Sequence, residues 1–135
     1  MRVSVLGSSP IVAFIVQGLA KEGHHITYMA PEADGRDDIS YPDWQEAIET
    51  VVGVGSLMDT LKLARVEQSQ VFLAMSDNDN RNAMAAQMAQ KLFNVPKVVC
   101  LVHDPERVEM YDRMGLTTVS PAAAVAKVVE EVLRS

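Results

Sequence analysis

The sequence has 135 residues, which suits one folded domain and is too short for a cofactor domain plus a substrate domain. Hydrophobic residues make up 48% of it and charged residues 22%, as in an ordinary folded protein. The formal net charge is −6 and no Lys/Arg cluster offsets it, which argues against nucleic acid and anionic lipid as partners. We therefore expect a single domain over residues 1–135 and no nucleic-acid partner.

Cysteine use and hydropathy bear on the cellular compartment. The single cysteine, Cys100, has no partner for an intrachain disulfide, which favours a reducing, cytoplasmic setting. No apolar run approaches the roughly 18 residues of a membrane span, so direct membrane insertion is not expected. The apolar N-terminus is broken at residues 7–10, which favours a strand-to-helix turn over a signal peptide.

The first half of the chain alternates between strand and helix patterns. Ser9 and Pro10 form an N-cap followed by a proline at the first helical position, and Gly23 supplies the signal for the end of that helix. The predicted elements, in chain order, are a strand at Val3–Leu6, a helix from Pro10 to about Lys21, a strand at Ile26–Met29, a short helix around Trp44–Ile48 and a strand near Thr50–Val54.

The second half repeats the alternation. Ser56 and Asp59 predict a capping box ahead of a helix. Strands at 71–75 and 98–102 are apolar on both faces, as in a parallel sheet covered by helices on each side. Asp104-Pro105 and Ser120-Pro121 precede the last two helices. These patterns predict an α/β fold, a Rossmann-like doubly wound parallel sheet of five or six strands with helices on both faces.

The last predicted helix carries an apolar stripe. Val125, Val128, Val129 and Val132 share one face of it. A single domain rarely leaves such a stripe uncovered, so we expect a homodimer or larger homo-oligomer. The alternative is that the helix folds back on its own sheet.

The turn after the first strand is where a doubly wound fold binds phosphates. Dinucleotide-binding domains have G-x-G-x-x-G there, and this chain has Gly7-Ser8-Ser9-Pro10-Ile11-Val12, which keeps only the first glycine. Ser9 adds a Cβ where a pyrophosphate would approach, and Pro10 removes an N–H donor. A plain strand-to-helix turn and a working phosphate loop both remain open, and the hydroxyls of Ser8 and Ser9 could hold a lone phosphate.

Enzyme and metal motifs are missing from the sequence. There is no G-x-S-x-G, no Tyr-x-x-x-Lys and no His spacing that suggests a metal triad. The run at 77–80, Asp-Asn-Asp-Asn, lacks the glycine and distal glutamate of a calcium loop, so helix capping is the better interpretation. We predict no catalytic residues and no metal site.

Several motifs together resemble the RCK domains, also called TrkA-N domains, of potassium uptake systems and potassium channels. The resemblance covers Met1 to about Leu133. The matching motifs are Gly23-His24, Gly53, Ser76-Asp77-x-Asp79-x-x-Asn82, Val95-Pro96, His103-Asp104-Pro105-Glu106, Gly115 and Ser120-Pro121.

The resemblance implies a non-catalytic domain that dimerises, often into rings, and passes ligand state to a membrane transporter or channel. It also implies binding of NAD, ATP, ADP or AMP through the first glycine loop, an acid ending the second strand and an Asp after the third-strand glycine. Those last two positions are Ala30 and Val54 here. The implied site therefore comprises Gly7, Ser8, Ser9, Pro10, Ala30, Val54, Ser76 and Asn82, with two expected acids missing.

Three hypotheses follow. The leading one is a regulatory domain that acts through assembly and has a degraded dinucleotide site. The first alternative is a competent adenine-nucleotide sensor in which Ser8, Ser9, Ser76 and Asn82 replace the lost groups. The remote alternative is an NAD(P)-dependent oxidoreductase. We further expect Asp79 and Asn82 to lie at the carboxyl edge of the sheet, facing the same crevice as residues 7–10.

Overall fold

Short apolar strands and helices alternate along the chain, as the sequence predicts. A computed structural model describes residues 1–7, 10–30, 48–53 and 55–135, with only the backbone of Pro10 and Ala30. The strands are β1 (Arg2–Leu6), β2 (His25–Ala30), β3 (Ile48–Val52), β4 (Val71–Ala74), β5 (Lys97–Leu101) and β6 (Thr117–Val119). The helices described are α1 (Pro10–Lys21), α2 (Leu57–Leu63), α3 (Asp79–Lys91), α4 (Val108–Arg113) and α5 (Pro121–Arg134).

The strands form one parallel sheet in the order β3-β2-β1-β4-β5-β6. Two apolar clusters cover its two faces. One packs α1, through Val12 and Val16, against β1, β2 and β4. The other packs α2, α3 and α4 against the opposite face, with the alanines of α3 allowing close approach. The predicted doubly wound Rossmann-like fold is confirmed, with six strands.

The third strand begins earlier than the sequence suggested. It runs from Ile48 to Val52, whereas the strand pattern pointed to Thr50–Val54. Ile48 pairs with Ile26 in the register between β2 and β3, so it cannot belong to the predicted helix around Trp44–Ile48. The rest of that predicted helix lies outside the described residues.

Side-chain caps begin the later helices where the sequence placed them. The Ser56 hydroxyl accepts from the Asp59 N–H at 3.2 Å, and the Asp59 carboxylate accepts from the Ser56 N–H at 3.1 Å. This reciprocal pair is the predicted capping box. Ser120 caps α5 by accepting from the Ala123 N–H, with Pro121 at the first helical position.

The final helix, α5, stands apart from the sheet. None of its residues is buried. Its four stripe valines are 50–67% exposed, so the alternative in which α5 folds back on its own sheet is wrong.

Candidate functional site

At one point in the sheet, two neighbouring strands are followed by helices that pack on opposite faces. β1 and β4 are adjacent; β1 is followed by α1 on one face and β4 by α3 on the other. The carboxyl ends of these two strands therefore bound a crevice, which is where open α/β sheets bind ligands. β1 and β4 pair in parallel from Val3 and Val71 to Leu6 and Ala74.

Gly7 makes the closest backbone approach in this crevice. Its φ is +121°, a conformation that L side chains rarely adopt. An added Cβ would lie 2.5 Å from backbone atoms of Met75 and Ser76, which follow β4. Glycine is therefore required here for the turn, and it leaves the crevice floor without a side chain.

The structure describes only some of the other residues predicted to bind a phosphate or a ribose. Pro10 is the first residue of α1 and Ala30 the last of β2, so both backbones reach the carboxyl edge of the sheet. Ser8, Ser9 and Val54 lie outside the described residues. Of the predicted set, the structure brings Gly7, Ser76 and Asn82 together.

Asn82 is fully buried and fixes the turn after β4. Its amide oxygen accepts from the N–H and the hydroxyl of Ser76, at 2.8 and 2.6 Å. Its amide nitrogen donates to the carbonyl oxygens of Ser76 and Leu101, at 2.9 and 3.0 Å. All donor and acceptor positions of this amide are thus filled by protein groups, which leaves none for a ligand. The structure gives Asn82 a structural role that the sequence did not predict.

Asp79 is the first residue of α3 and lies at the carboxyl edge of the sheet, but its carboxylate binds the loop after β5. It accepts from the N–H groups of His103 and Asp104, at 2.7 and 3.0 Å, after β5. The expectation that Asp79 faces the crevice beside Gly7 is therefore wrong for its side chain. The 77–80 run acts in capping, as predicted: the Asn78 side chain accepts from the Arg81 N–H at 3.0 Å.

A cleft of about 110 Å³ opens beside the crevice. It extends from the loop after β3 to the end of β1 and the first turn of α3. Its lining includes Leu6, Gly53, Gly55, Ser56, Thr60 and Arg81. Because about 10–15 Å³ is enough to admit one water molecule, the cleft has room for several waters or for a small anion.

Arg81 is the charged residue among those that line the cleft, and the sequence had not singled it out. It lies in the first turn of α3, between Asp79 and Asn82. A cation is unfavourable at a helix N-terminus, because the helix dipole is positive there. That misplaced charge was the available signal in the sequence.

The carboxylate of Asp59 lies beside the lining residues Gly55 and Ser56 and is already hydrogen-bonded. The Ser56 N–H and then the Ser56 hydroxyl bond to Asp59 and lower the pKa of its carboxyl. The same carboxylate lies 2.6 Å from where a Cβ on Gly55 would be. The Asp59 charge is thus fixed on the α2 N-terminus beside the cleft.

Cys100 lies in β5, one residue before the carboxyl end of the strand. Burial first, and then the nearby Asp79 charge, raise the pKa of its thiol to about 11. A thiol with that pKa is almost wholly protonated at neutral pH and is a poor nucleophile.

Among the described residues, no three His, Cys, Asp or Glu side chains are grouped as metal ligands would be. In that part of the chain, no helix has both the length and the apolar character needed to cross a membrane.

The fold and the switch-point crevice define a Rossmann-like domain of the nucleotide-binding type. The family model for the TrkA-N domain matches residues 3–121. The chain belongs to the TrkA-N domain family.

Individual relatives and structures agree with this assignment. The Trk system potassium uptake protein TrkA of Streptomyces coelicolor is 31% identical over 136 residues, which cover 99% of this chain and 57% of that protein. The TrkA-N domain of the Escherichia coli inner membrane protein ybaL superposes with a TM-score of 0.81 at 13% identity, covering 98% of this chain and 96% of that one. The AMP-bound Kef C-terminal domain of Shewanella denitrificans superposes with a TM-score of 0.75 at 17% identity, covering 98% and 80%. The chain spans about 57% of the length of the Streptomyces protein.

Proposed function

We propose that this protein is a non-catalytic regulatory domain of a potassium transport system, which acts in the cytoplasm by assembling through α5 and has an altered nucleotide site. Membership of the TrkA-N family and the similarity to a potassium uptake protein support the transport assignment. The proposed partner is a membrane potassium transporter or channel subunit. A regulatory domain transmits a signal by changing its contacts, so the interaction surface matters more than a reactive group.

The observation that carries the proposal is the uncovered apolar face of α5. Val125, Val128 and Val132 are spaced three and four residues apart, as in the a and d positions of a coiled-coil seam. All three are more than half exposed. The charged residues Lys127, Glu130, Glu131 and Arg134 lie elsewhere around the helix. A second copy of the same stripe would cover this face by a two-fold contact, the commonest arrangement of homodimers.

Light scattering with a pair of α5 variants tests the assembly. We expect the unmodified protein to have at least twice the monomer mass of 14.8 kDa. Val128→Asp combined with Val132→Asp should reduce it to the monomer, because two carboxylates would lose their hydration in the seam. Lys127→Asp puts a carboxylate on the opposite side of the helix and should leave the mass unchanged. A monomer mass for the unmodified protein across micromolar concentrations would contradict the proposal.

The second candidate function, a nucleotide sensor, is favoured by the cleft beside Gly7. The glycine floor and the open space at the switch point fit a phosphate group. The residue that ends β2 is Ala30, which cannot offer the carboxylate that would hold a ribose diol. The phosphate end of a nucleotide thus fits better than its ribose. The solved structure of the Kef domain with AMP gives the ligand class for a titration.

Calorimetric titration of NADH separates a degraded site from a competent one. A ribose carboxylate makes charge-assisted hydrogen bonds worth about 1.5–3 kcal/mol, so we expect Ala30→Asp to tighten NADH about ten- to a hundredfold. Ala122→Asp, a change of the same type on α5, is the control and should have no effect on NADH. Low-micromolar NADH binding by the unmodified chain would show that the site is competent without the missing acids.

A further inference from the structure

Among the described residues that line the cleft, the only charge is positive and has no counter-charge. Among the described lining residues, Arg81 alone carries a charge. Its guanidinium makes no hydrogen bond or ion pair within the described part of the chain. By contrast, the guanidinium groups of Arg2, Arg107 and Arg113 each donate to an oxygen of a side chain nearby.

The neighbours of Arg81 do not neutralise it. Asp79, two residues earlier, is engaged by the N–H groups of His103 and Asp104 on the far side of β4. Asp59 is engaged by the N–H of Ser56. The first turn of α3 adds its own positive dipole end at the same place. An anion entering the cleft would therefore meet two positive sources and no free carboxylate among these residues.

The cleft lies at the edge of the sheet where Rossmann-like domains choose between two kinds of ribose. Its lining includes Leu6 at the end of β1 and Gly53 after β3, the two strands that flank β2. An acid near this position hydrogen-bonds a free ribose 2′-hydroxyl, whereas an arginine accommodates a 2′-phosphate. This chain has Ala30 as the last residue of β2 and Arg81 in the lining of the cleft.

We propose that Arg81 is a specificity-determining residue that makes the cleft select a phosphate monoester over a ribose diol. The inference rests on the proposed nucleotide site and deepens it. The planar guanidinium can donate two parallel hydrogen bonds to phosphate oxygens, a geometry that a lysine cannot offer. The phosphate monoester is the 2′-phosphate of a phosphorylated dinucleotide, in place of the free 2′-hydroxyl.

Calorimetry with matched ligands tests the selection. The probes are NADPH against NADH, and adenosine 2′,5′-bisphosphate and ADP against adenosine. We expect NADPH to bind at least about tenfold more tightly than NADH, because one charge-assisted hydrogen bond gives a gain in affinity of that size. Arg81→Gln should remove most of that preference, and Arg81→Lys should keep part of it. Lys91→Gln, which removes a positive charge from the last turn of the same helix, should keep all of it.

The melting temperature without ligand separates recognition from a structural role. Because Arg81 opposes the helix dipole, Arg81→Gln should leave the melting temperature unchanged or raise it while the phosphate-bearing ligands lose affinity. A lower melting temperature with an unchanged preference would overturn the inference.

Two probes with the same number of phosphates locate the phosphate. Adenosine 2′,5′-bisphosphate should bind more tightly than ADP, and the reverse order overturns the inference. Equal binding of NADPH and NADH, together with a gain of NADH affinity in Ala30→Asp, overturns the inference and leaves the nucleotide site standing. Binding of no probe by the unmodified chain, Ala30→Asp or Arg81→Gln overturns both.

Discussion

Asn82 shows how one buried amide can organise a turn. Its side chain joins the turn after β4 to the last carbonyl of β5 and fills all of its own hydrogen-bonding positions. His103 adds a further contact, its Nε2 lying 3.1 Å from the carbonyl oxygen of Ser76. The backbone that abuts Gly7 is held in place by this network, so the shape of the crevice depends on it.

Asn82→Ala should therefore destabilise the fold. Truncation removes all four of these hydrogen bonds and leaves the buried Ser76 N–H and Leu101 carbonyl without their amide partner, at a cost of about 2–4 kcal/mol in the free energy of unfolding. Asn80→Ala is the matched control: it is an exposed asparagine two residues earlier and should cost about 1 kcal/mol or less. Urea unfolding of both variants measures the difference, and equal costs would show that the amide network is not what holds the turn.

Two neighbouring residues mark the limit of sequence-based prediction at this scale. Asn82 was predicted as a ligand-binding residue from a motif, because a motif gives chain positions and not partners. Its partner Leu101 lies 19 positions away and meets it only because β4 and β5 pair. The place of Arg81 in the cleft likewise depends on how the loop after β3 meets α3.

At the scale of single elements, local cap chemistry was the most predictable part of the chain. The capping box of Ser56 with Asp59 and the Ser120 cap appear where the sequence placed them, because such caps join residues three apart. The start of β3 was misplaced by two residues, since its register against β2 is a long-range property.

The capping box of α2 makes a pH-dependent contribution to stability. The pKa of Asp59 is lower in the folded protein than its ordinary value of 3.8. Its contribution is therefore present above that value and is lost as the pH falls through the folded pKa. The isosteric variant Asp59→Asn should be less stable than the unmodified protein near about pH 6, and the two should converge toward about pH 2. Urea unfolding at a series of pH values measures this, and a difference that stays constant with pH would contradict it.

At the scale of the whole molecule, the sheet and the final helix differ in what supports them. The alternating apolar strands and small-residue helix faces predicted the parallel sheet, because burial on both faces leaves a distinct pattern. The stripe on α5 predicted an apolar surface, but a stripe does not specify what covers it. The structure excludes the domain's own sheet, and a second copy is the covering that we propose.

The length of α5 is too short for a stable helix on its own. α5 has 14 residues, and an isolated helix shorter than about 12–15 residues is only marginally stable in water. Because none of its residues is buried, α5 gains little support from packing against the rest of the described chain. A stable α5 therefore requires a partner surface.

Hydrogen exchange of the α5 amides as a function of protein concentration tests the central claim most directly. If two copies assemble through α5, its amide protection should rise with concentration and track the dimer mass, while the amides of β1 and β4 stay protected throughout. The variant carrying Val128→Asp and Val132→Asp should show rapid exchange in α5 at every concentration. Rapid exchange in α5 of the unmodified protein at concentrations where its mass is that of a dimer would contradict the account, because the assembly would then use another surface.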